Sequence, residues 1–140
     1  MSTLTAFSPN YNIPLYAASK HELIGFVRSV APVLAEENIT INAICPTLIE
    51  TGLMPAQFRH LWDPKQLTPM STATKAYDAI LEDDSMTGQT IELTLDDLVF
   101  KQRPEYSTDN IHWMFNSMDN WEQVSEPLLP RALGKNVKKT

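Results

Sequence analysis

The order of two patterns constrains this chain most: a long helical periodicity that runs directly into a β-branched strand closed by proline. From Leu15 to about Glu36–Glu37, apolar residues at Leu15, Ala18, Leu23, Phe26, Val27, Val30, Val33 and Leu34 recur three and four apart, as on one side of a helix. Pro14 falls at the first turn, where its missing N–H costs nothing. Pro32 lies inside the pattern and removes one backbone bond, yet the stripe continues on both sides, so one helix is expected across it. Ile39–Cys45 then reads as a strand stopped by Pro46. Alternation puts Ile39, Ile41, Ala43 and Cys45 on one face and Thr40, Asn42 and Ile44 on the other. A helix leading straight into such a strand predicts an α/β unit with a parallel sheet.

Around this unit the signals are weaker. Residues 1–14 read as a loop or a short strand remnant, since Pro9 and Pro14 discourage helix. Residues 47–69 form a long irregular segment in which Leu53, Met54, Phe58, Leu61 and Trp62 alternate with prolines. Segments of this kind are usually lids or hold short helices. A second helix is expected from a cap at Thr68 or Ser71, with core positions Ala73, Ala76, Tyr77, Ile80 and Leu81. The acidic group Glu82-Asp83-Asp84 after it reads as a solvated turn. A turn at Thr87-Gly88 and an alternating strand through Thr94 follow, and Val99-Phe100 extends a strand or covers an edge. One domain is expected over residues 1–115, with a flexible tail at 116–140.

Composition excludes several functions. The net charge of −6 leaves no basic footprint for nucleic acid. No apolar run approaches the length of a membrane span, and the first residues lack the pattern of a secretory signal. A lone cysteine, Cys45, forms no internal disulfide and suits a reducing, cytoplasmic setting; no histidine is placed to activate it. His60 is expected in solvent, His21 turned away from Tyr16, and His112 without a partner at ligand spacing; no metal site is expected. The four glycines, Gly25, Gly52, Gly88 and Gly134, are too scattered for a Gly-rich phosphate loop.

One constellation carries chemistry. In Tyr16-Ala17-Ala18-Ser19-Lys20 a phenol and an ammonium lie four residues apart, on the same helical face. Neither group titrates near neutrality in isolation. A fixed cation beside a phenol, helped by the positive end of a helix, favours the phenolate and suits the pair to acid–base work on an alcohol or carbonyl. The spacing alone is equally that of a packed tyrosine beside a surface lysine.

The residues around it decide between these readings. The run YAASKHELIGFVRSVAPVLAEENITINAICPTLIET, from Tyr16 to Thr51, resembles the short-chain dehydrogenase/reductase family throughout. There a Y-x-x-x-K helix leads to a strand bearing an asparagine (Asn42 here) and then to P-G-x-x-x-T, matched by Pro46, Thr47 and Thr51. The wording from Leu15 to Tyr106 is most similar to fungal relatives of 15-hydroxyprostaglandin dehydrogenase. The resemblance implies the C-terminal half of a Rossmann-type doubly wound parallel sheet. It also implies interconversion of a secondary alcohol and a ketone by hydride transfer with NAD or NADP, in a natural-product pathway. By the same resemblance Tyr16 is the catalytic acid/base and Lys20 supports it and the nicotinamide ribose. Thr3 is the substrate-orienting hydroxyl, with Ser2 in reserve, and Ile49 and Thr51 face the nicotinamide end of the cofactor. Leu53, Met54, Phe58 and Trp62 would line the substrate pocket. Thr47 stands where the family usually has glycine, and Asp96-Asp97 where many members have Asp-Gly-Gly.

The resemblance lacks the Gly-rich turn, the residue that selects NAD or NADP, and the central strands before Thr3. The expectation is therefore a truncated gene product or an incomplete gene model. Two functions follow from it: an oxidoreductase acting on a small alcohol or ketone, or an inactive fragment that associates through the 15–37 helix, which in the family commonly packs between subunits.

Overall fold

The computed structural model describes residues 4–49, 51–52 and 56–118. Thr3, Leu53 and Met54 lie outside these residues, as does almost all of the 116–140 tail. The chain divides into two compact units, Met1–Gln102 and Arg103–Thr140.

The first unit opens with a short 3₁₀ turn at Leu4–Ala6 and helix α1 at Pro14–Ala35. Of the loop or short strand remnant expected over residues 1–14, no strand is formed among the described residues. Pro14 starts α1 without a side-chain cap, and Pro32 is accommodated inside it on an exposed side. The helix stops where Asn38 adopts a left-handed conformation (φ 56°). The amide of Ile39 then reaches the Leu34 carbonyl and that of Asn38 reaches Ala35, both at 3.0 Å, satisfying orphan carbonyls of the last turn.

Strand β1 is Ala43–Pro46, shorter than the expected Ile39–Cys45. The missing residues are occupied otherwise. The Asn42 side chain donates to the Met86 carbonyl at 2.7 Å and accepts from the Gln89 amide at 3.0 Å. The backbone joins in, with Gly88 N–H on the Ile41 carbonyl at 2.7 Å. An amide side chain thus substitutes for ladder bonds, and Ile39 turns to solvent.

After β1 the chain forms 3₁₀ turns at Ala56–Leu61 and Pro64–Gln66, then helix α2 at Met70–Glu82. Its cap position is Pro69, with no side-chain cap, so neither Thr68 nor Ser71 plays that part. Beyond α2, Asp83 accepts from the Ser85 hydroxyl at 2.5 Å and the Ser85 amide at 2.9 Å. These bonds, the hydroxyl's first, hold the Asp83 carboxyl below its usual range.

Strand β2, Thr90–Leu93, pairs parallel with β1, Ala43 opposite Thr90. Strand β3, Leu98–Phe100, pairs antiparallel on the other edge of β2. The sheet order is β1-β2-β3. Asp96-Asp97 thus makes the hairpin turn, closed by the Thr94 amide on the Asp97 carbonyl at 3.0 Å. The Arg28 guanidinium ties α1 to the end of β3 by donating to the Lys101 carbonyl at 2.8 Å.

Alternation along the strands builds two cores. Ala43 and Cys45 pack with Ala6, Ile24 and Val27 on the α1 face. Ile44, Ile91 and Leu93 pack with Ala73 and Ala76 on the α2 face. The sheet is therefore covered on both sides, which explains why all four β1 residues are buried. The stripes differ in detail from expectation: α1 buries Ala17, Ile24, Val27 and Ala31, while Leu15 and Phe26 are exposed. On α2, Ala73 and Ala76 are buried as expected, but Tyr77 and Leu81 are exposed.

In the second unit, helix α3 spans Asp109–Met118, a helix the sequence reading does not anticipate. Tyr106 stacks on Phe115 with ring centroids 5.0 Å apart, and the Arg103 guanidinium lies 4.6 Å from the Tyr106 ring centre.

Candidate active site

Tyr16 is the third residue of α1, inside the turn whose backbone N–H groups give the helix its positive end. No acidic residue occupies that turn. The Tyr16 side chain is 46% exposed, so its phenol is accessible from solvent. One turn on, the Lys20 Nζ lies 5.2 Å from the centre of the Tyr16 ring, within cation–π reach. The i,i+4 spacing thus brings phenol and ammonium into one small volume.

The helix uses the polar groups around this pair to tie itself down. The Ser19 hydroxyl donates to the Tyr16 carbonyl at 2.7 Å. The His21 ring meets the Ala17 carbonyl through Nδ1 at 2.8 Å, which requires a proton on that nitrogen. His21 is therefore engaged with its own helix, away from Tyr16, and His60 is exposed. His112 Nε2 lies 3.2 Å from the Asn116 side-chain amide in α3. Cys45 is buried within the α1-side core. Among the described residues no cluster of His, Cys, Asp or Glu is placed to hold a metal, and no helix is long and apolar enough to cross a membrane.

The segment after β1 carries the other candidates. Ile49 packs against the α2-side core, and Thr51 is half-buried. Phe58 belongs to the Ala56–Leu61 turn, and Trp62, just beyond it, is 39% exposed. Two residues that the sequence reading did not assign to the site join the ends of this segment: the hydroxyls of Thr47 and Thr68 hydrogen-bond each other. Twenty-one positions apart, they leave no spacing signal, although Thr47 stands out as a threonine where glycine is usual. Cavities of about 340 Å³ beside Tyr106 and about 180 Å³ between Asn42 and Tyr77 involve neither Tyr16 nor Lys20.

Comparison with known proteins gives this geometry its family. A family model described as enoyl-(acyl carrier protein) reductase matches residues 1–88. The short-chain dehydrogenase/reductase prx6 of Penicillium rubens is 30% identical over 87% of this chain and 41% of its own length. The 15-hydroxyprostaglandin dehydrogenase [NAD(+)] of Bos taurus is 27% identical over 80% of this chain and 48% of its own. Among solved structures, ElxO with NADP bound aligns at a TM-score of 0.57, with 21% identity, over 67% of this chain and 43% of that one. A putative short-chain alcohol dehydrogenase from Sinorhizobium meliloti aligns at 0.56, with 24% identity, over 67% and 42%. These likenesses identify the fold as part of a Rossmann-type α/β fold, and the chain spans less than half the length of these relatives. With the Tyr16–Lys20 pair set on α1 and the parallel β1–β2 pair behind it, the chain belongs to the short-chain dehydrogenase/reductase family of oxidoreductases.

Proposed function

We propose that this chain carries the acid–base end of an oxidoreductase that interconverts a secondary alcohol and a ketone with NAD or NADP. The observation that carries this reading is the Tyr16–Lys20 pair: an accessible phenol at a helix N-terminus with an ammonium 5.2 Å from its ring. In the oxidising direction the Tyr16 oxygen takes the hydroxyl proton of the alcohol; in the reducing direction the Tyr16 O–H returns it to the carbonyl oxygen. Lys20 would supply positive charge beside the ring that carries this oxygen in both directions. Thr3 would orient the substrate oxygen, and Leu53, Met54, Phe58 and Trp62 would wall the pocket.

The residues present fit one end of the dinucleotide. Lys20, Tyr16 and Thr51 carry donor groups of the kind that a ribose and a nicotinamide amide would require, and Ile49 precedes Thr51 in the segment after β1. The nicotinamide ring, when bound, supplies the hydride acceptor or donor. For the pyrophosphate, the described glycines form no Gly-rich turn: Gly25 lies within α1, Gly88 faces Ala31, whose Cβ would sit 3.1 Å from an added Cβ, and Gly52, with nothing within 4 Å of an added Cβ, stands apart from both in the segment after β1. The names of the relatives carry both NAD(+) and NADP. Titration of the intact chain with NADH and NADPH, followed by tryptophan fluorescence, decides between them. No binding of either at millimolar concentration sinks independent catalysis. In an active preparation, Tyr16→Phe is expected to lower turnover by about 10²–10⁴-fold, with a loss of cofactor affinity far smaller than the loss of turnover. Retained turnover refutes the role given to the phenol.

A second reading, an association module, is favoured by the exposed apolar side of α1, where Leu15 and Phe26 are 85% and 58% exposed.

A further inference from the structure

The chain leaves the end of β1 at Thr47-Leu48 and comes back beside it at Thr68, just before α2. Two contacts close the loop. The Thr68 amide donates to the Leu48 carbonyl at 2.9 Å. The Thr47 and Thr68 hydroxyls hydrogen-bond side chain to side chain. Thr68 is almost wholly buried (1% exposed), so its oxygen has little recourse to water, whereas Thr47 is half-buried. Four residues on, the equally buried Thr72 hydroxyl donates to the Leu95 carbonyl at 2.7 Å, fixing the first turn of α2 to the β2–β3 turn. The return point is thus anchored to the sheet, and Thr47 ties the departure point to it.

We propose that Thr47 and Thr68 are positioning residues: a hydroxyl clasp that sets the root of the 49–67 loop against the end of β1. Glycine at position 47 would leave Thr68 without this partner and the loop root with one tie, the amide bond to Leu48. Threonine adds a second tie, from side chain to side chain, to the backbone one. Ile49 and Thr51 lie two and four residues from Thr47, and Trp62 six residues before Thr68, so the clasp fixes both sides of the loop. That these side chains face cofactor and substrate rests on the function proposed above; the clasp itself does not.

The test reads the loop directly. Amide hydrogen exchange of the intact chain is followed by mass spectrometry in Thr47→Val, Thr68→Val, the double variant and Thr47→Ser. Loss of one hydrogen bond with a buried partner is expected to speed exchange in peptides covering 49–67 about tenfold in each valine variant. Because both variants remove the same bond, the double variant is expected to show about the same tenfold and no more. Thr47→Ser is expected to restore native exchange, and β2 peptides are expected to stay unchanged throughout. Native exchange in Thr47→Val, multiplied effects in the double variant, failure of serine to rescue, or acceleration spreading to β2 would each overturn the clasp. Where Thr68→Val does not fold, the Thr47→Val and Thr47→Ser pair decides alone. In a preparation that turns over an alcohol, Thr47→Val is expected to raise the cofactor KM about tenfold with kcat nearly unchanged. A fall in kcat alone overturns the positioning role. A preparation with no turnover counts against the oxidoreductase reading, and the exchange result still decides the clasp.

Discussion

Two glycines of this chain sit in opposite physical situations, and the contrast gives the same substitution opposite signs. Gly88 holds a left-handed conformation (φ 72°), and a Cβ placed on it would lie 3.1 Å from the Ala31 Cβ of α1. Its amide also donates to the Ile41 carbonyl, so the turn cannot move away without losing a bond. Gly25 lies inside α1 with nothing within 4 Å of an added Cβ. Gly88→Ala is therefore expected to destabilise by about 1–3 kcal/mol, from strain and crowding together. Gly25→Ala is expected to stabilise by about 0.5–1 kcal/mol, because it removes only the helix penalty of glycine. Urea unfolding of both variants checks this pair, and equal midpoints for the two would contradict the argument.

At the scale of elements, the joint between β1 and β2 leans on the Asn42 side chain, beside which Thr87 Oγ1 accepts from the Ile41 amide at 3.2 Å. Asn42 bridges the Met86 carbonyl and the Gln89 amide, completing the pairing that the short β1 leaves open. Asn42→Ala strands both of these backbone groups in a half-buried place and is expected to cost about 2–3 kcal/mol. Asn42→Asp keeps the acceptor for Gln89 but turns a carboxylate toward a carbonyl, so it is expected to rescue little. Hydrogen exchange at residues 86–89 reads the effect locally; native exchange in Asn42→Ala would show that the backbone bonds suffice. The same joint shows what the sequence could and could not tell. The face alternation Ala43, Cys45 against Ile44 was legible because period two is a local property, and each set packs on a different helix. The length of β1 was not, because a β-branched run does not reveal that an asparagine will replace ladder bonds with residues 44 and 47 positions away. The extent of α1 was legible from its periodicity, but its buried side only in part: Val27 is buried as expected, whereas Ala17 and Ala31 carry too little hydrophobicity to outweigh Leu15 and Phe26. In the site, Tyr16 and Lys20 meet because helical spacing dictates it. Thr47 and Thr68 meet only through the tertiary path of the loop. Helix α3 escaped notice because its apolar residues are interleaved with His112, Asn116 and Ser117, and most of its side chains are exposed.

For the molecule as a whole, the most demanding feature is a helix that is apolar on two sides. The buried stripe of α1, Ala17, Ile24, Val27 and Ala31, meets the sheet. Leu15 and Phe26 lie on the side turned away from that stripe and Leu23 on its flank, and all three are exposed. An exposed apolar patch on a helix commonly marks a contact surface. The association-module reading proposed above rests on this exposed stripe, and it predicts that a second copy of the chain pairs α1 against α1. In a two-fold arrangement each residue is counted twice, so one substitution weakens the contact from both sides. Burying a phenylalanine contributes about 1.5–3 kcal/mol, and Phe26→Glu in both copies adds like charges to that loss. The dimer dissociation constant is therefore expected to rise at least about a hundredfold. Because Phe26 makes no part of either buried core, the circular dichroism and urea midpoint of the monomer should stay native. Sedimentation velocity across a concentration series measures both states. A native chain that stays monomeric to high micromolar concentration, or a Phe26→Glu variant that dimerises as well as the native chain, would remove α1 as the contact.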